Sequence, residues 1–176
     1  MKQGNASYIL RLTLTLLVLT LVVAALLGVV NSMTAERIAS LKNEKAETAM
    51  QQVLPAESYE PLPAEAEGIT AAYRAGESGY VVRVSAGGFG GAIDMMVGID
   101  TEGKVVGISV ISHSETASLG ANCTREDFRN QFIGTDAPAL TKDGGTIEAL
   151  TGATVTSRAV TKGVNLALAF VEEVQQ

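Results

Sequence analysis

The chain has 176 residues, 18% of them charged and 5% aromatic, and a formal net charge of −6. That charge is unevenly spread, net +2 over residues 1–50 and net −8 over residues 51–176, so the larger part has no basic stripe with which to neutralise nucleic-acid phosphates. One cysteine, Cys123, and one histidine, His113, leave no internal disulfide and argue against a metal cluster, a zinc centre or a histidine-based hydrolase.

Leu12 to Val30 runs nineteen residues without a charge. As a helix rising 1.5 Å per residue it is about 28 Å long, close to one bilayer core. A cleaved signal peptide normally has a shorter apolar core and an A-x-A-like site, and Asn31 to Ala35 offers no such site. The stretch therefore reads as an uncleaved anchor. Lys2 and Arg11 on one side are nearly balanced by Arg37, Lys42 and Lys45 on the other, so charge alone does not orient it.

From Thr34 to Val53, the apolar residues Ala35, Ile38, Ala39, Ala46, Ala49, Met50 and Val53 share a helical face. Lys42 interrupts that face and can snorkel, and Pro55 marks a stop. This is a helical stalk: it packs on the domain or a partner, or it is a plain spacer. Residues 55–68 hold three of the four prolines and four glutamates, the composition of an extended, solvated linker.

Alternating segments come after the linker. Ile69, Ala71 and Tyr73 share one strand face, as do Tyr80, Val82 and Val84 after the turn at 75–78. Ile93, Met95, Val97 and Ile99 form a third, and Val106, Ile108 and Val110 a fourth, beyond the turn at 100–103. Period-2 patterns joined by short glycine-containing turns predict antiparallel hairpins. Between the second and third strands lies Gly87-Gly88-Phe89-Gly90-Gly91. A strand rather than a helix comes next, so it is not a dinucleotide fingerprint. It is either a bend or a place where backbone comes close to a ligand.

The loop from His113 to Gly120 succeeds the fourth strand. Glu115 and Thr116 could hydrogen-bond a polar heterocycle, although any surface loop holds such residues. Thr124 is expected to cap a short helix through Phe132, with Asp127 completing a capping-box-like pattern and Gly134 ending it. Cys123, just before that cap, is a buried small residue or a thiol activated by the helix start. Residues 135–150 read as loop and short strand with a turn at 143–145.

Thr151-Gly152-Ala153-Thr154-Val155-Thr156-Ser157 then opens the last helix, which places Val160, Val164, Ala167, Leu168 and Val171 on one side. Thr156 is expected at or near the N-cap. A helix start offers unpaired N–H groups and a positive dipole end to an anion such as phosphate, while the bland alternative is a threonine cap and nothing more. The expected fold class is α+β: an antiparallel sheet flanked by helices, preceded by one N-terminal transmembrane helix. The expected division is an anchor at 1–33 (membrane span about 12–30), a stalk and linker at 34–68, and a folded domain at 69–176.

Three ordered blocks carry a resemblance that runs from about Tyr73 to the C-terminus. They are Gly-Phe-Gly-Gly followed by Met-Val-Gly-Ile-Asp, His-x-Glu-Thr-x-x-Leu-Gly, and Gly-Ala-Thr-x-Thr. Together they resemble the FMN-binding domain of the Rnf complex G subunit and its relative, the C subunit of the sodium-pumping NADH:quinone oxidoreductase. The short domain looks more like the Rnf protein. The resemblance implies FMN joined by a phosphoester to Thr156, attached by a separate flavin transferase that uses FAD. It also implies cofactor contacts from Gly152, Ala153 and Thr154, from the loop carrying Glu115, Thr116, Leu119 and Gly120, and from His113. The chain departs from the common pattern at Ala117-Ser118, where Pro-Gly is usual, and at Thr151, where Ser or Asp is usual but a hydroxyl is retained.

The functional implication of this resemblance is a membrane-anchored electron carrier in an ion-translocating ferredoxin:NAD oxidoreductase. Its partners would be membrane and iron–sulfur subunits, a flavin transferase and lipid, with no nucleic acid, and its domain would face the extracytoplasmic side of the cell membrane. No general acid, base or nucleophile is implied, because the flavin carries the electron chemistry. The nearest alternatives are the quinone-reductase protein and a stand-alone extracytoplasmic flavoprotein. An anchored binding domain without flavin, in which Thr156 is only a cap, is the alternative of a different class.

Overall fold

The computed structural model describes residues 3–64 and 66–175. Lys2, Glu65 and the side chains of Ala39 and Lys42, which contribute to the sequence patterns, lie outside the described residues. The chain divides into two units, Met1–Asn43 and Glu44–Gln176.

Helix α1 runs from Gln3 to Val53. Within it, Ser7–Ala35 is long and apolar enough to cross a membrane, and its side chains are exposed throughout. The expected span, Leu12–Val30, lies inside this stretch. Anchor and stalk are one helix, since no proline or glycine pair interrupts the ladder between them.

The second unit is built on a five-stranded antiparallel sheet in the order β1-β2-β3-β4-β5. Its strands are β1 (Glu60–Leu62), β2 (Ile69–Ala75), β3 (Gly79–Gly87), β4 (Ala92–Ile99) and β5 (Val105–Ser112). The fold class and the hairpins agree with the alternation in the sequence. Strand β1 does not: it sits in the proline-rich linker, paired through Glu60↔Arg74 and Leu62↔Ala72. Proline is tolerated there because β1 is an edge strand.

Two of the four expected strand faces are corrected by bulges. In β2 the register shifts between Ile69 and Ala71, so Ile69 and Ala72 face the larger core while Tyr73 and Ala75 pack on the opposite side. In β5 a shift leaves Val106 as the extra residue between Val105 and Gly107. Val105 and Ile108 enter the larger core, and Val106 faces away from it. An inserted residue reverses the alternation beyond it, which period-2 counting cannot foresee.

Helix α3 (Thr154–Gln175) covers the larger face, with Val160, Val164, Ala167, Leu168 and Val171 buried against Val82, Val84, Met95 and Val97. The predicted apolar side of this helix is the observed one. A segment of 3-10 turn (Gly120–Thr124), the four-residue helix α2 (Glu126–Arg129) and a second 3-10 turn (Asn130–Phe132) close one end of that core, inserting Phe128 and Phe132. Thr124 does not cap α2. Arg125 holds the cap position without a side-chain bond, and the Thr124 hydroxyl donates back to the Ala121 carbonyl at 2.9 Å. Asp127 instead accepts from the Arg125 guanidinium and from the Phe128 N–H. The preceding turn already occupies Thr124, so the residue cannot adopt the extended backbone a cap needs.

The other face carries a smaller core. Ala46, Ala49, Met50, Val53 and Leu54, from the end of α1, pack on Ala75, Val81, Met96 and Ile111. The stalk residues 46–54 therefore belong to the domain's interior, which favours packing over a plain spacer. Gly98 and Gly107 pair across β4 and β5, and a Cβ on either would lie 2.6 Å from the Val53 carbonyl oxygen. Two glycines thus make the notch that receives the helix end.

Candidate functional site

At the start of α3 the chain turns through Gly152, whose φ of +76° is a left-handed conformation natural to glycine. Ala153, not Thr156, takes the cap position: its carbonyl accepts the first helical N–H, from Ser157, at 3.0 Å. Thr156 is therefore the third residue of the helix, near the cap as expected but not the cap itself. Ser157 fastens the entry, since its hydroxyl donates to the Ala153 carbonyl and accepts the Leu150 N–H at 2.9 Å. Among the described residues the N–H groups of Thr154, Val155 and Thr156 have no hydrogen-bond acceptor, as the geometry of a helix start dictates.

Thr156 is only 1% exposed, and its hydroxyl donates to Oε2 of Glu115 at 2.7 Å. Glu115, 8% exposed, stands on the loop after β5, and its Oε1 accepts the N–H of Gly90 at 3.1 Å. The loop shapes itself: the Glu115 N–H donates to Nδ1 of His113 at 3.3 Å, and the N–H groups of Leu119 and Ala121 donate to the Thr116 carbonyl. Ser118 adopts φ +65°, the one non-glycine with positive φ among the described residues. It is one of the two residues that replace the usual Pro-Gly, and a serine in this conformation is strained by its Cβ.

The glycine-rich stretch finds its reason here. A Cβ on Gly88 would collide with Oε1 of Glu115, and one on Gly90 with the Ser114 carbonyl. The close approach left open by the sequence is thus to the Glu115 loop. It also carries Phe89, 72% exposed, to the rim of a cavity. Gly120 is cramped in the same way, its missing Cβ lying 2.5 Å from Oε2 of Glu115 and 2.8 Å from the Thr156 hydroxyl.

These elements surround a cavity of about 480 Å³, within the range of small-molecule and cofactor sites. One wall is Glu115, Thr116, Leu119 and Gly120; the other is Gly152, Ala153, Thr154, Val155 and Thr156; Phe89 closes the rim. Every candidate residue but His113 lines it, although the two walls lie some thirty positions apart in the sequence. His113 stands behind the loop as the acceptor of the Glu115 N–H. Phe89, part of the first motif block, and Val155 are lining residues not expected as cofactor contacts. The signal for Phe89 was a lone aromatic among four glycines; Val155, exposed beside two threonines, gave none.

Among the described residues the lining includes no lysine or arginine, so an anion here would be met by the helix-start amides and the dipole rather than by a cation. Phe89, Leu119 and Val155, all exposed, supply apolar surface for a flat ring. These features fit a flavin mononucleotide, with its phosphate at the helix start and its ring against the apolar rim. The Glu115 carboxylate carries the same sign of charge as a phosphate, so phosphate binding does not explain it. Behind the site, burial pushes the Cys123 thiol up to about 11, with the negative charge of Glu115 adding to the effect. Cys123 is therefore a protonated, buried residue and not a reactive thiolate. Among the described residues no cluster of His, Cys, Asp and Glu is suited to a metal ion.

Comparison with known proteins agrees with this geometry. The FMN-binding domain family matches residues 88–169, which take in the glycine stretch, the Glu115 loop and most of α3. The chain is 35% identical over 162 residues to the G subunit of the proton-translocating ferredoxin:NAD(+) oxidoreductase complex of Clostridium ljungdahlii, covering 89% of this chain and 86% of that protein. It is 32% identical over 185 residues to the G subunit of the ion-translocating oxidoreductase complex of Methanosarcina acetivorans, covering 96% and 97%. Its fold is similar to the crystal structure of the C subunit of the Na(+)-translocating NADH-quinone reductase of Parabacteroides distasonis, with a TM-score of 0.53, 19% identity and coverage of 72% and 80%. With sequence likeness to these G subunits over nearly its whole length and a cavity walled by the matched segments, the chain belongs to the G-subunit family of ion-translocating oxidoreductase complexes.

Proposed function

We propose that this chain is the membrane-anchored flavoprotein subunit of an ion-translocating ferredoxin:NAD oxidoreductase complex, carrying FMN joined by a phosphoester to Thr156 and relaying electrons between other subunits. The observation that carries the reading is the cavity itself, in which a buried threonine hydroxyl sits beside three unpaired helix-start amides. A phosphodiester on Thr156 keeps one negative charge, which those amides and the dipole favour. Gly152, Ala153 and Thr154 present the attachment point. Thr116, Leu119 and Gly120 form the facing wall, and His113 holds the Glu115 backbone in place.

When bound, the flavin supplies one- and two-electron transfer. The chain's own part is to hold it, shield its phosphate end and set its surroundings. Membrane and iron–sulfur subunits are the partners this role requires, and a flavin transferase the maturation factor. The reading puts the domain on the extracytoplasmic side, where a covalent link prevents loss of the cofactor. Protease accessibility of the domain in intact spheroplasts tests that side.

The test of attachment is denaturing electrophoresis after coexpression with a flavin transferase. Flavin fluorescence is expected to comigrate with the wild-type polypeptide and to vanish in Thr156→Val. The variant should stay folded, destabilised by about 1–3 kcal/mol, because it leaves a buried carboxylate oxygen without its donor. A wild-type band without fluorescence would return the chain to the class of flavin-free anchored domains.

A further inference from the structure

The geometry points to a specific task for Glu115: it is the proton acceptor for Thr156 when the flavin phosphoryl group is joined to it. This inference rests on covalent attachment at Thr156 and adds a residue role to it. Oε2 of Glu115 lies 2.7 Å from the Thr156 hydroxyl and accepts its hydrogen bond, within the reach a general base needs. The carboxylate is buried and held from its other oxygen by the Gly90 N–H at 3.1 Å, while Gly120 leaves room for it against Thr156. It is aimed at this one hydroxyl.

A second consideration excludes phosphate binding as the reason for its presence. Once Oγ1 is esterified it has no proton to donate, and Glu115 then faces a phosphodiester of like charge, which disfavours the bound state. A carboxylate in that position is a liability after attachment and an asset during it.

The step balances without a change of oxidation state. The Oγ1–H bond of Thr156 breaks and its proton passes to Oε2 of Glu115. Oγ1 forms a bond to the phosphorus of the flavin half of a flavin dinucleotide, and the pyrophosphate P–O bond breaks. The nucleoside monophosphate leaves with the electron pair, and the proton on Glu115 is later given up to water.

The experiment uses the full chain in detergent, purified flavin transferase and FAD, with covalent loading followed by intact-mass spectrometry at several acceptor concentrations. Glu115→Gln keeps the shape and an oxygen for the Gly90 N–H, yet turns an amide N–H toward Thr156 in place of the base. Its kcat for loading is expected to fall about 100-fold or more, the usual worth of a general base, with the KM for the acceptor chain unchanged. Glu115→Asp, which keeps a carboxylate one methylene short, is expected to load faster than Glu115→Gln, and thermal unfolding of each variant reports that it is folded. Loading of Glu115→Gln at the wild-type kcat, or a defect confined to KM, overturns the role of Glu115 and leaves covalent attachment standing. Failure of the wild-type chain to load at all overturns the covalent reading itself.

Discussion

The two faces of the sheet are covered by different parts of the chain and do different work. On one face, α3 and the aromatic pair Phe128 and Phe132, whose rings meet edge to face at 5.5 Å, build the larger core and fix the helix start that carries Thr156. On the other, the end of α1 settles on a smaller patch of alanine, valine and methionine over two glycines. Burial on the first face positions the candidate site; burial on the second fastens a helix. Both faces use glycine for close approach, but Gly120 makes room for the Glu115–Thr156 pair and Gly98 for a backbone carbonyl.

The most severe way to break this comparison is to remove the cover of the smaller face. A fragment beginning at Glu44 is expected to unfold in one cooperative thermal transition. One beginning at Ile69 should fail to fold or should aggregate, because Val81, Met96 and Ile111 lose their apolar cover and β2 loses β1. Circular dichroism and size-exclusion chromatography read the difference.

A pair of glycine substitutions sharpens it. Gly120→Ala drives a methyl group against Glu115 and Thr156, and flavin loading is expected to drop about 100-fold, the scale of a displaced reacting group, in a domain that stays folded but loses about 1–3 kcal/mol of stability. Gly98→Val pushes against the Val53 carbonyl and should cost about 1–3 kcal/mol of stability with loading retained. Limited proteolysis around residues 46–54 would show the loosened helix end. If Gly98→Val abolished loading in folded protein, the two faces would not be separable.

The smallest effect concerns the loop between them. Ser118→Gly removes the strain of a left-handed serine and is expected to stabilise the domain by about 1 kcal/mol, read from denaturant midpoints.

Much of the fold was legible because it obeys periodicity. The hairpins from Tyr80 to Ile99 alternate cleanly, and the buried side of α3 is a plain helical stripe. The misreadings have a common cause: a local rule was overridden by a partner distant in sequence. The bulges at Thr70 and Val106 are set by pairing with β3 and β4. Strand β1 exists only because β2 offers it an edge. Thr124 and Thr156 look like caps by residue type, but each has its hydroxyl engaged elsewhere. At the site, hydroxyls and glycines before a helix indicated a place for phosphate. That Glu115 meets Thr156 there could not be read from spacing, since nothing local brings the two loops together.

That meeting gives the hydroxyl-carboxylate pair a further meaning. The two residues lie 41 positions apart and come together only when the sheet, the loop and α3 have all assembled. Under the proposed role of Glu115, a modification that depends on their contact would serve as quality control: unfolded or misassembled chains would present a threonine but no base beside it, and would stay unmarked. On that proposal, the share of chains bearing flavin would record how many had folded when a transferase met them.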